Sequence, residues 1–182
     1  MSSQALTLNP ILPPPQILSQ LRSGQLLRIE GKSGTALLIC HRHHTEIAGP
    51  GAAVGGLLDL NCRRVIPVGK VALLGTESHE ERKKAFVLRQ RWIQKTHQVA
   101  SFPVPLKRAK TILMMLERYC GSEATTELPD DVLGQLVGVL PKTMAVARQV
   151  RPELQSPPTE VRSCTVRLEK SAQDRPIRAT SS

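Results

Sequence analysis

Two prolines one residue apart, in Phe102-Pro103-Val104-Pro105, divide this chain into parts that must fold separately. Proline cannot join the helical hydrogen-bond ladder and pushes the residue before it toward extended geometry, so no helix continues across this point. Upstream, Thr76 or Ser78 is a candidate N-cap, and Glu77, Glu80 and Glu81 suit the positive end of a helix. A helix is predicted from there to about Ala100, with Ala85, Leu88, Trp92 and Val99 near one apolar stripe. Arg82, Lys83, Lys84, Arg89, Arg91 and Lys95 fill the rest of its surface, as a solvated face or as contacts to nucleic-acid phosphates. The stripe needs a partner, either the strands before it or the same helix of a second copy in a short coiled coil. Downstream, Leu106, Ala109, Leu113, Leu116 and Cys120 recur at helical intervals, and Gly121 stands where a C-cap belongs. A second helix is predicted over those residues.

Before the long helix the pattern is that of strands. Two apolar runs, Leu26 to Ile29 and Thr35 to Ile39, flank Glu30-Gly31-Lys32-Ser33-Gly34, whose glycines suit a hairpin. A third run, Val65 to Leu74, follows the glycine-rich Gly49 to Gly56. The stretch Gln25 to Gly75 reads as a small antiparallel β unit. Ahead of it, Pro10 and Pro13 to Pro15 favour an extended arm reaching Gln20. At the other end, Ser171 to Ser182 is polar and reads as a disordered basic tail.

Composition narrows the function. Aromatics are 2% of the 182 residues, so the core must be aliphatic, and a platform that stacks single-stranded bases on rings has almost nothing to build with. A formal charge of +10 points to a polyanionic partner. Cys40, Cys62, Cys120 and Cys164 lie far apart, which predicts reduced, mostly buried thiols rather than a zinc ribbon or disulfide scaffold. No apolar run approaches the roughly 20 residues needed to span a bilayer, and no signal-peptide pattern opens the chain, so no membrane and a cytoplasmic location are expected. No nucleophile elbow, Walker loop or reactive-cysteine motif is present, so neither catalysis nor a cofactor is expected. Cys40-His41-Arg42-His43-His44-Thr45-Glu46 holds metal-ligand chemistry, but on a strand His41 and His43 share one face and Cys40 and His44 the other. Without a sharp turn these groups do not converge, and the segment is read as a polar hairpin end with no metal.

The remaining segment, Leu128 to Arg151, reads as two short helices around Gly138. Val132, Leu133, Leu136, Met144 and Ala147 supply small or apolar positions for a close crossing, and a glycine at the turn allows positive φ. This is the pattern of a helix-turn-helix.

Taken with the helix Leu106 to Cys120, the sequence Leu133-Gly134-Gln135-Leu136-Val137-Gly138 resembles the second helix and turn of the winged-helix domain in the Crp/Fnr family of bacterial transcription regulators. Ser163 to Glu169 is in the place of a wing strand. Upstream, Gly49-Pro50-Gly51-Ala52-Ala53-Val54-Gly55-Gly56, Arg63-Arg64 and Val71 to Leu74 resemble the end of that family's effector β-roll. The resemblance implies an α+β fold: a truncated β-roll (21–77) after the arm (1–20), a linker and dimerisation helix (78–101), a winged helix-turn-helix domain (102–170) and the tail (171–182). It implies a homodimer joined through Ala85, Leu88, Trp92 and Val99. It further implies duplex DNA as partner, with Lys142, Thr143, Arg148 and Arg151 near the recognition helix and Lys107, Arg108 and Lys110 near the backbone.

The departures from the family shape these expectations. The β unit is short for a complete sensor. Where cyclic-nucleotide-binding relatives carry a ribose-gripping glutamate and a phosphate-holding arginine followed by serine or threonine, this chain has Gly56 and Arg64-Val65, so no cyclic nucleotide is expected. The positions that would reach base edges are Pro141, Lys142 and Val146, which lack the arginine that reads guanine. Two functions follow as alternatives: a DNA-binding regulator, or an interaction module that kept the fold and binds an acidic protein.

Overall fold

A computed structural model describes residues 13–150, which belong to one compact unit. The sequence's proposed wing strand, the tail, Arg151 and Cys164 lie outside the described residues. Within them the fold is mixed α and β, with six helices and two small antiparallel sheets.

The proline-rich start is helical rather than an extended arm where it is described. Helix α1 (Pro14–Arg22) begins with Pro14 at a position whose missing N–H is no loss, and the Pro13 carbonyl accepts from Gln16 and Ile17. Ile17 and Leu21, one turn apart, are fully buried against the strands that follow. Arg22 reaches across to donate two hydrogen bonds, of 2.8 and 2.6 Å, to the Cys62 carbonyl.

Six strands follow: β1 (Leu26–Glu30), β2 (Ala36–Cys40), β3 (Thr45–Ala48), β4 (Ala53–Gly55), β5 (Arg64–Val68) and β6 (Ala72–Gly75). One sheet has the order β4-β1-β6 and the other β3-β2-β5. The hairpin expected between the first two apolar runs is therefore absent: β1 pairs with β4 and β6, whereas β2 pairs with β3 and β5. The third run is likewise split, with β5 and β6 in different sheets. Burial explains the arrangement. Every residue of β2 is buried, so that strand needs cover on both faces and sits centrally in its sheet, Leu38 between Ile47 and Ile66.

Helix α2 (His79–Ala100) starts with a capping box in which the Ser78 hydroxyl accepts from the Glu81 amide and the Glu81 carboxylate accepts from the Ser78 amide. The same carboxylate also accepts from the Glu77 amide at 3.0 Å, and the Glu77 and Ser78 amides together hold the Glu81 carboxyl below its ordinary pKa. The apolar stripe of α2 is covered by its own chain: Ala85, Trp92 and Val99 are buried, and a Cβ on Gly51 would come 2.7 Å from Leu88 Cδ1. Arg89 is on this covered side too, correcting its expected place on a solvated face. Its guanidinium, 4% exposed, bonds Glu46 of β3, the fully buried Asp59 at 3.1 Å and the Ala53 carbonyl of β4 at 3.2 Å. Asp59 also accepts from the Gly55 amide at 2.7 Å. Burial raises the Glu46 pKa, but the charge and hydrogen bonds of Arg89 outweigh it and hold the carboxyl below its usual value.

After Ser101 to Val104, the chain enters α3 (Pro105–Cys120), capped at Gly121, then α4 (Ser122–Thr126), α5 (Asp130–Val137) and α6 (Pro141–Gln149). The stretch between Gly121 and Leu128 is thus partly helical, in α4. Tyr119 of α3 ties the helices to the strands: its ring meets Trp92 edge to face at 4.7 Å, and its hydroxyl donates to the Thr35 carbonyl. Both rings press on Gly49, where any Cβ would lie within 2.8 Å of them. Cys40 and Cys62 are buried thiols, Cys120 is half-buried, and burial raises the pKa of all three.

Candidate nucleic-acid interface

Helices α5 and α6 owe their crossing to two glycines. Gly138 ends α5 in the left-handed conformation at φ 65° and ψ 48°, which reverses the chain within a few residues. Gly134 lies one turn earlier, where a Cβ would be 2.6 Å from the Val139 carbonyl, so the turn folds down directly onto helix backbone. Val132, Leu133, Leu136 and Val137 of α5 then join Met144 and Ala147 of α6 and Ala109, Ile112, Leu113 and Leu116 of α3 in the continuous core. Asp130 and Asp131 in the first turn of α5 suit its positive end and make that end repel phosphate.

The outward surface of α6 consists of Pro141, Lys142, Val146 and Gln149, with Thr143 and Ala145 half-buried beside them. Pro141 opens the helix without a side-chain cap, and the Leu140 carbonyl accepts from the Thr143 and Met144 amides beside the exposed Lys142. Leu140, 72% exposed, and Val150 flank this surface with aliphatic groups. Neither was singled out from sequence, although both adjoin the helix whose outward positions were.

The basic residues assigned to DNA divide into two groups. Arg148 is not available to phosphate: it donates to Asp130 at 2.7 Å, to the Leu128 carbonyl at 2.7 Å and to the Thr125 carbonyl at 3.2 Å. It fastens α6 to the start of α5 and to the end of α4. Arg108 is also turned inward, donating to the Val137 carbonyl at the end of α5. Lys107 remains exposed, its ammonium 4.4 Å from the centre of the Phe102 ring, and Lys110 is half-buried on the same helix. Of the described residues expected at DNA, Lys107 and Lys142 are therefore exposed, and Lys110 and Thr143 half-buried.

Arg64 lies 3.9 Å from Asp131, and both side chains are exposed. Gly56 has φ 58°, a conformation that a glutamate there would adopt only with strain. Among the described residues no helix is long and apolar enough to cross a membrane. No family model, curated protein or solved structure matches the chain.

Proposed function

We propose that this protein is a DNA-binding regulator of Crp/Fnr-like architecture, with a shortened β-roll as sensor remnant and α5–Gly138–α6 as its helix-turn-helix. The observation that carries the reading is the pair of short helices locked by Gly134 and Gly138, packed on α3 and presenting the start of α6 with Lys142 to solvent. A formal charge of +10 supports a polyanionic partner. On this reading α6 enters the major groove, Lys142 and Thr143 contact phosphates or a base edge, and Lys107 and Lys110 contact the flanking backbone. The role is not catalytic, and the protein acts as a dimer in the manner of such regulators. A dimer contact through α2 would have to use its outer side, where Phe86 and Val87 are exposed, because Ala85, Leu88, Trp92 and Val99 pack within the chain.

A second reading has its own observation. Leu140, Val146 and Val150, on and at the two ends of α6, are exposed aliphatic groups, which suit a protein partner better than a phosphate backbone.

Fluorescence anisotropy with a labelled random-sequence duplex at about 50 and 200 mM salt separates the two. DNA binding predicts affinity that falls steeply with salt, and a Lys107→Ala, Lys110→Ala, Lys142→Ala variant with a visibly shallower slope. Absence of binding at the lower salt sinks the regulator reading.

A further inference from the structure

The segment between β2 and β3 supplies the turn that a strand reading of Cys40 to Glu46 lacks. The His41 amide donates to the His44 carbonyl at 2.9 Å, so Arg42 and His43 form the tip and His41 faces His44 across it. Residues opposed across such a turn project from the same face, and Glu46, two residues beyond His44, projects there as well. The outcome is a cluster: the imidazoles stack with centroids 4.6 Å apart and planes at 13°, and ligand atoms of His41, His44 and Glu46 all lie within 4.8 Å of one another.

We propose that His41, His44 and Glu46 form a binding site for one divalent transition-metal ion, Zn²⁺ in the first instance. Imidazole together with carboxylate is a donor set for such ions rather than for calcium or magnesium. Donor atoms bonded to tetrahedral zinc at about 2.0–2.1 Å stand about 3.3–3.4 Å apart. His44 Nε2 and Glu46 Oε1 are already separated by 3.3 Å, and the remaining separations, at most 4.8 Å, close when the stacked rings turn toward a common point.

Two further observations point to a ligand. His41 Nε2 is buried without a hydrogen-bond partner, approaching Asp59 Oδ1 at 3.5 Å without bonding alignment. An orphaned ring nitrogen in this position is costly unless something fills its valence. Glu46 is also divided between two sides, Oε2 on Arg89 and Oε1 toward His44. The guanidinium does not forbid a cation, because Arg89 answers both Glu46 and Asp59, and the three groups together carry one net negative charge. His44, 56% exposed, leaves an open side for entry and for a water as fourth ligand. The site does not depend on the DNA-binding reading.

The test is calorimetric titration of the untagged full chain with ZnCl₂, followed by Co²⁺ absorbance and the imidazole nitrogen NMR signals. One ion per chain is expected, with ring signals of His41 and His44 moving and those of His79 and His97 fixed. His44→Ala, at an exposed position that leaves the fold intact, should weaken binding at least about tenfold, and His43→Ala, at the tip, by less than about twofold. The proposal is overturned if no saturable binding occurs below about 100 µM Zn²⁺, or if His43→Ala weakens it as much as His44→Ala. Because the NMR readout uses the native chain, it decides the matter even without the variants.

Discussion

Replacing Arg89 by methionine tests how the long helix is held to the strands. The substitution keeps the apolar stem in place and removes a guanidinium that is 4% exposed and bonded to Glu46, Asp59 and the Ala53 carbonyl. Asp59, fully buried, keeps its bond from the Gly55 amide and the approach of His41 Nε2 at 3.5 Å, but no guanidinium. Glu46, 27% exposed, can turn partly to water and contributes less to the loss. Removing one partner of a buried ion pair usually destabilises by about 3–5 kcal/mol, because the other charge stays behind uncompensated. For a unit of this size that corresponds to a melting point lower by about 6–20 °C. Urea melts followed by far-ultraviolet dichroism measure it. The decisive comparison adds Asp59→Asn, which retains an acceptor for the Gly55 amide and removes the stranded charge. In the native background Asp59→Asn should destabilise; on top of Arg89→Met it should stabilise by at least about 1 kcal/mol. If Arg89→Met costs less than about 1 kcal/mol, or if the sign of Asp59→Asn does not reverse, the pair is not what anchors α2.

Arg148→Ala should destabilise the fold by about 1–3 kcal/mol, taking its donor from the Leu128 carbonyl and the Asp130 carboxylate while the Thr125 carbonyl keeps the Leu128 amide, and should leave the salt dependence of DNA binding unchanged in protein that remains folded. Lys142→Ala should do the reverse, shifting stability by less than about 0.5 kcal/mol while lowering the slope of log affinity against log salt by about 1. Val146→Arg on the outward face of α6 should create a preference at one base of about 5- to 150-fold in a randomised-duplex selection; a uniform rise in affinity would show that α6 does not read a groove. The thiols of Cys40 and Cys62 should resist iodoacetamide until the protein unfolds, with Cys120 reacting sooner. Their folded pKa is raised, so their stabilising contribution is complete below the unfolded thiol value of about 8.5 and lost as pH climbs beyond it, a trend visible in melts between pH 8 and 10.

The helices were largely legible because their signals are local. Ser78 and Glu81 announce the start of α2, Pro105 and Gly121 bracket α3, and Gly138 marks the turn before α6. The sheets were not, since strand pairing is decided by distant partners. Glu30 to Gly34 has hairpin composition, yet the fully buried β2 takes β3 and β5 as its ladder partners, and β1 is drawn into the other sheet. Pro13 to Pro15 misled for a different reason: proline at the first helical position starts a helix as readily as it maintains an extended chain, and the deciding fact is Ile17 and Leu21 one turn apart. Arg89 was readable in principle. It stands four residues after Ala85 and three before Trp92, on the stripe itself, and its charge alone disguised it.

The same disguise explains why the candidate interface was only half legible. Counting basic residues treats all of them alike, whereas four arginines are tied into this fold and Arg42, Arg63, Arg64, Arg82, Arg91 and Arg118 stay exposed. Arg22 bonds the Cys62 carbonyl, Arg108 the Val137 carbonyl, Arg89 two carboxylates and a carbonyl, and Arg148 one carboxylate and two carbonyls. The planar guanidinium, with several donors fixed in a fork, can satisfy more than one acceptor at a junction between elements, which a single ammonium does less well. Lys107 and Lys142 are instead left at the surface. A DNA contact built from such residues is one of compact, strongly hydrated charges on phosphate oxygens, without the bidentate geometry that selects guanine. On the proposed reading, strong salt dependence and weak base preference would share one physical origin: Arg148, the arginine of α6, is already holding the helices together.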